Sequence, residues 1–236
     1  MPMTMRDAER ARELVLATWG HYIPAEVQQY TADQIFVLYT NPSYYRAAFG
    51  VMWDAAFRRV VVRECTAQKP RNVADLQTQL DNIDTASTGG TLAGFVTASR
   101  NNRQRRIHIN PEAQEFDPIG ALAHEYIHFL SHPNFYPDYY MEGGDNPFRI
   151  EGVTDWLTIH CFSDYFDELP AQSRITARQF QIDSPGGMPL KAKNRAAYRA
   201  NFQKTNAWIK ADAQNLGRLL QFVFRGVKTD LSGIRP

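Results

Sequence analysis

The chain has only two cysteines in 236 residues, Cys65 and Cys161, too few and too far apart for a disulfide framework or a thiolate metal site. That excludes zinc ribbons and disulfide-stapled secreted scaffolds, and both thiols are expected to be reduced. No apolar run approaches the roughly 20 residues of a membrane-spanning helix. The N-terminus, Met1-Pro2-Met3-Thr4-Met5-Arg6, lacks the apolar core of a secretory signal, so the chain is expected to be cytoplasmic as synthesised. An excess of one charge is missing too. Lys and Arg total 26 against 25 Asp and Glu, a net charge of +1, which leaves no electrostatic case for nucleic acid or an anionic membrane as partner. Basic spots such as Arg103-Gln104-Arg105-Arg106 read as a solvated turn. Internal repeats and low-complexity tracts are absent.

What is present describes a folded globule. Hydrophobic residues make up 44% and aromatics 12%, a composition that disordered chains do not reach. The length suits a single domain in two lobes about a cleft. The pattern is α+β: an N-terminal α/β lobe over about 1–132 and a mostly helical C-terminal lobe over about 133–236. A helix is expected over 5–19, a strand over 33–40, an aromatic-rich helix over 44–56 and a β-branched strand over 57–64. A polar helix follows over 72–83. Residues 91–99 and 105–110 then flank Asn101-Asn102-Arg103-Gln104 as a β-hairpin; His108 on its second strand is within reach of the cleft, but a lone strand histidine reads first as solvated. Breaks at Leu169-Pro170 and over 183–189 precede a helical stretch at 191–225, and the second break reads as a flap or lobe boundary.

The chemistry is concentrated in Ala121-Leu-Ala-His-Glu-Tyr-Ile-His-Phe-Leu130. Asp117 as N-cap and Pro118 at the first helical position start a helix there, and Pro133 ends it. Ile119, Leu122, Ala123, Ile127 and Leu130 form its apolar face. His124 and His128, four residues apart, leave the helix about 6 Å from each other, close enough to share one small metal ion. Glu125, next to the first histidine, is placed to take a proton from a water molecule that the metal acidifies. His-Glu-x-x-His at this spacing is the signature of zinc hydrolases.

A catalytic zinc requires three protein ligands and an open position. His132 continues the spacing but fails on reach, because residues at successive fours span about 12 Å of helix; it reads as a polar residue at a frayed end. Position 134, where a metzincin has its third histidine, is Asn. Glu151, 23 residues past His128, is the better third ligand. Asp155 shares its helical face at i+4 and can accept the second ring N–H of a ligating histidine, fixing its tautomer. Gly152 leaves room for close packing between the two helices. Asp138, Glu142 and Asp145, in the loop between them, read as solvated acids.

The pairing of His124-Glu125-x-x-His128 with Glu151-Gly-Val-Thr-Asp155-Trp-Leu resembles the gluzincin branch of the zincin metallopeptidases, the group that includes thermolysin. The likeness covers residues 117–158. The spacing to the glutamate is slightly longer than in thermolysin, and that enzyme's downstream histidine has no clear counterpart. The resemblance implies a zincin-like fold, Zn2+ on His124, His128 and Glu151, Glu125 as general base and Asp155 behind a ligating histidine. It also implies a tyrosine on a later helix as oxyanion donor. Tyr198 is the choice, with Tyr139 and Tyr165 as alternatives; His160, nine residues past Glu151, faces the wrong way. The implied substrate is a protein or peptide. The second motif is also similar to bacterial zincin domains carried as toxins or effectors, which implies export by a dedicated secretion system and a carrier or immunity protein as partner. A zinc amidase acting on cell-wall peptide and a catalytically silent zinc-binding module are the competing readings.

Overall fold

The computed structural model describes residues 3–40, 44–45, 94–96, 105–111, 118–135, 147–161 and 192–231. Within them the protein is helix-rich with one small mixed sheet, an α+β arrangement. Helix α1 (Met5–Trp19) starts in a capping box. Thr4 accepts from the Asp7 N–H at 3.2 Å, and the Thr4 N–H donates back to the Asp7 carboxylate at 2.9 Å. A single 3-10 turn over Gly20–Tyr22 follows, then the short helices α2 (Ala25–Gln28) and α3 (Ala32–Ile35).

The expected strand over 33–40 is shorter. Thr31 and Gln34 form a second capping box that turns Ala32–Ile35 into helix, so only Phe36–Leu38 is strand β1. Strands β2 (Gly94–Val96) and β3 (Ile107–Ile109) pair antiparallel, as the hairpin reading requires. β1 runs parallel to the other side of β3, giving the order β1-β3-β2. β3 is therefore central among the described strands and β2 lies outside it. The helix expected over 44–56 (beyond residues 44 and 45), the strand over 57–64, the helix over 72–83 and the break over 183–189 lie outside the described residues.

Helix α4 (Pro118–Leu130) carries the histidine motif and is buried from Gly120 to Leu130. It lies against α1 on one side and α5 (Pro147–His160) on another, while β2 and β3 cross it. Helix α6 (Ala192–Ala211) packs on α5. The expected helical stretch over 191–225 is broken here. Asp212 accepts from the N–H of Gln214 at 2.8 Å and ends α6, and α7 (Asn215–Arg225) starts afresh. Trp19 at the end of α1 donates to the Leu157 carbonyl at 3.2 Å, tying α1 to α5.

The C-terminal end of α4 is fixed by two groups that the sequence presents as solvent-facing. Arg105 is 3% exposed and donates to the carbonyl of Phe129 at 2.9 Å, so it caps the helix's C-terminal end instead of lining a solvated turn. His132 is not at a frayed end. Its N–H donates to the Val223 carbonyl at 2.6 Å, and its ring lies on Gly226, the left-handed cap of α7 at φ +69°. Any Cβ at position 226 would drive into that imidazole, whose Nδ1 already accepts from the Asn134 N–H at 3.0 Å. Gly226→Ala therefore combines a left-handed backbone with a steric conflict and should lower unfolding free energy by about 1–3 kcal/mol. Chemical denaturation checks this, and an unchanged midpoint contradicts it.

Candidate metal centre

Helices α4 and α5 cross so that three side chains meet. His124 Nε2 is 3.0 Å from Glu151 Oε2 and 3.0 Å from His128 Nε2, and His128 Nε2 is 3.4 Å from the same carboxylate oxygen. The side chains are 1%, 7% and 12% exposed, so the three meet in a buried pocket. This triangle fits a metal. Tetrahedral ligands about 2.0–2.1 Å from one zinc ion stand about 3.3 Å from each other, and a two-imidazole, one-carboxylate set is a zinc-hydrolase donor set. His124, His128 and Glu151 thus form a buried group able to hold a metal ion.

A fourth residue orients the first histidine. Asp155 is fully buried, and its Oδ1 is 2.9 Å from His124 Nδ1. That contact leaves Nε2 aimed at the cluster, the role the i+4 spacing from Glu151 assigns to it. Burial pushes the Asp155 carboxyl up to about 6, while the close contact with His124 works in the other direction. Burial works against a charged His124 as well. The hydrogen bonds and charges of Asp155 and Glu151 outweigh it and hold the imidazole well above its ordinary value. For Glu151, burial is outweighed by the charge of His128 and the hydrogen bonds of both histidines, which keep its carboxyl well below the usual range.

Glu125 is 6% exposed on the same helix. Burial raises its pKa, the His128 and His124 charges pull it down, and the Glu151 charge adds to the rise. A carboxylate raised toward neutrality is better matched to proton transfer than a solvated one. Strand β2 lies directly over it: a Cβ at Gly94 would come within 3.5 Å of Glu125 Cγ and within 2.9 Å of both the His108 carbonyl oxygen and Ile109 Cδ1. Only bare backbone fits there.

That contact also settles His108. Gly94 pairs with Ile109, so both face α4, and alternation along β3 turns His108 to the opposite face. There its Nδ1 is 2.8 Å from the Tyr39 hydroxyl, and burial followed by the Arg106 charge lowers its pKa. His108 therefore lies on the face of the sheet away from α4, consistent with its having no catalytic role. His160 stacks on Trp156 with ring centroids 3.7 Å apart. Tyr198 stands in α6, with its side chain outside the described residues, as are Tyr139, Tyr165, Asp138, Glu142, Asp145 and Cys65. Cys161 is a free, buried thiol pushed up to about 12 by burial.

Two contacts at the site were not expected from sequence. Thr154 Oγ1 is 3.4 Å from His128 Nδ1, a neighbour that the i+3 spacing from Glu151 already encodes. Tyr45 is buried, with its phenol pushed up by burial, then by the Glu125 charge and by Tyr39. No local pattern links position 45 to position 125. No protein-family model, curated protein or solved structure matches this chain.

The electrostatics set a proton count. Below its raised pKa, His124 in the metal-free protein carries a proton that a metal must displace, so apparent affinity should rise with pH up to that value and level off above it. Calorimetric zinc titrations at pH 7, in buffers of differing ionisation enthalpy, should give release of about one proton per zinc. Zero release would mean that His124 is neutral before the metal arrives.

Proposed function

We propose that this protein is a zinc-dependent metallopeptidase with a zincin-like site. The observation that carries the reading is the buried triangle of His124, His128 and Glu151 with Glu125 beside it on the same helix. When bound, zinc supplies a Lewis acid that makes a water molecule acidic near neutral pH and polarises a carbonyl. His124, His128 and Glu151 hold the ion, and Asp155 keeps His124 in the ligating tautomer. Glu125 accepts the proton of the attacking water at its carboxylate. It then returns that proton to the leaving nitrogen as the amide C–N bond breaks. Tyr198 is the proposed donor to the developing oxyanion, since α6 packs directly on the helix that carries Glu151. The substrate is a protein or peptide.

Glu125 favours an enzyme over a silent metal site. A carboxylic acid buried beside two imidazoles is a costly residue for a structural metal centre to keep. Here it follows the first histidine of His-Glu-x-x-His and stands outside the His124, His128 and Glu151 group.

Glu125→Gln should retain one zinc per chain and lose at least about 100-fold in kcat, the lower end of a general base's contribution. The assay labels new N-termini in bacterial and eukaryotic lysates treated with wild type or the variant. Termini made by wild type alone establish the protease and its sequence preference. Equal cleavage by both removes Glu125 as base, and zinc binding without new termini in any lysate contradicts the peptidase reading.

A further inference from the structure

Helix α5 presents three polar side chains to the histidines of α4: Glu151, Thr154 and Asp155, at i, i+3 and i+4 on one face. Glu151 faces both Nε2 atoms, and Asp155 meets Nδ1 of His124. Thr154 has the equivalent position behind the other histidine. It is fully buried, and its Oγ1 is 3.4 Å from Nδ1 of His128. Building on the zinc reading above, we propose that Thr154 is the positioning residue for His128: it accepts the Nδ1–H and leaves Nε2 unprotonated toward the metal.

The chemistry of threonine suits that task. Its β-branched side chain has few rotamers in a helix, and its hydroxyl oxygen has lone pairs that can accept from an imidazole N–H. The backbone at this point is held as well, because Thr158 Oγ1 donates to the Thr154 carbonyl at 2.7 Å. A neutral partner is also the one the electrostatics permit. Glu125, Glu151 and Asp155 already place three carboxylates around the two imidazoles. A fourth buried carboxylate would add desolvation and mutual repulsion that one divalent ion does not neutralise. Helix α5 therefore supplies one ligand and a distinct backing group for each histidine, carboxylate for His124 and hydroxyl for His128.

The test is zinc affinity, measured by competition with a chromophoric chelator, on wild type, Thr154→Val, Thr154→Ser and the ligand control Glu151→Ala. Loss of a backing hydrogen bond costs 10–100-fold in metal affinity. The expected result is tight 1:1 binding by wild type, loss of stoichiometric zinc in Glu151→Ala, at least tenfold weaker binding in Thr154→Val and near wild-type binding in Thr154→Ser. Wild-type affinity in Thr154→Val overturns the role of Thr154 and leaves the zinc site standing. Equal weakening in the Val and Ser variants overturns it too, since packing and not the hydroxyl would be responsible. A wild type that binds no zinc fails the metal reading itself and takes this inference with it. A second measurement needs no variant: long-range 1H–15N spectra of the zinc-loaded wild type should show His128 protonated at Nδ1. Protonation at Nε2 overturns the proposal.

Discussion

The structure depends on one constraint: two imidazoles and a carboxylate are held 3.0–3.4 Å apart in a buried pocket. Burial disfavours charge at His124, while Asp155 and Glu151 beside it favour its protonated form, so a proton and a metal ion compete for one place. A divalent ion bound there would replace that proton and satisfy all three donors together, coupling metal binding to protonation and to the packing of α4 on α5.

The rest of the fold keeps those two helices from separating. α1 covers one side of α4, and Trp19 bonds to the backbone of α5. Trp156 donates to Asn206 at 3.2 Å, which ties α5 to α6. Arg105, leading into the central strand, holds the carbonyl end of α4, and His132 joins that end to the cap of α7. Each tie is a directional bond made in a buried or half-buried place, where losing one partner leaves the other unsatisfied. The ligand atoms consequently meet without a flexible loop carrying any of them.

The site was legible in the sequence because its parts lie on helices. The i, i+4 rule places His124 with His128 and Glu151 with Asp155 before any coordinates exist. The same rule at i+3 reaches Thr154, a neighbour that the sequence reading passed over in favour of charged residues. What local pattern cannot supply is contact between distant segments. Arg105 reads as a solvated arginine until β3 is known to start beside the C-terminal end of α4. His108 reads as within reach of the cleft until the Gly94–Ile109 pairing shows which face of the sheet meets the helix. The shortened β1 is a different case: Thr31 and Gln34 have capping-box spacing, a local helix signal that competes with the β-rich run directly after it.

The account stands on the identity of the metal's ligands, and zinc K-edge X-ray absorption on the purified, zinc-loaded protein measures them directly. It predicts a first shell of nitrogen and oxygen scatterers at about 2.0–2.1 Å, with the outer-shell signature of two imidazoles and no sulfur. A sulfur scatterer near 2.3 Å, or a shell with fewer than two imidazoles, would contradict it.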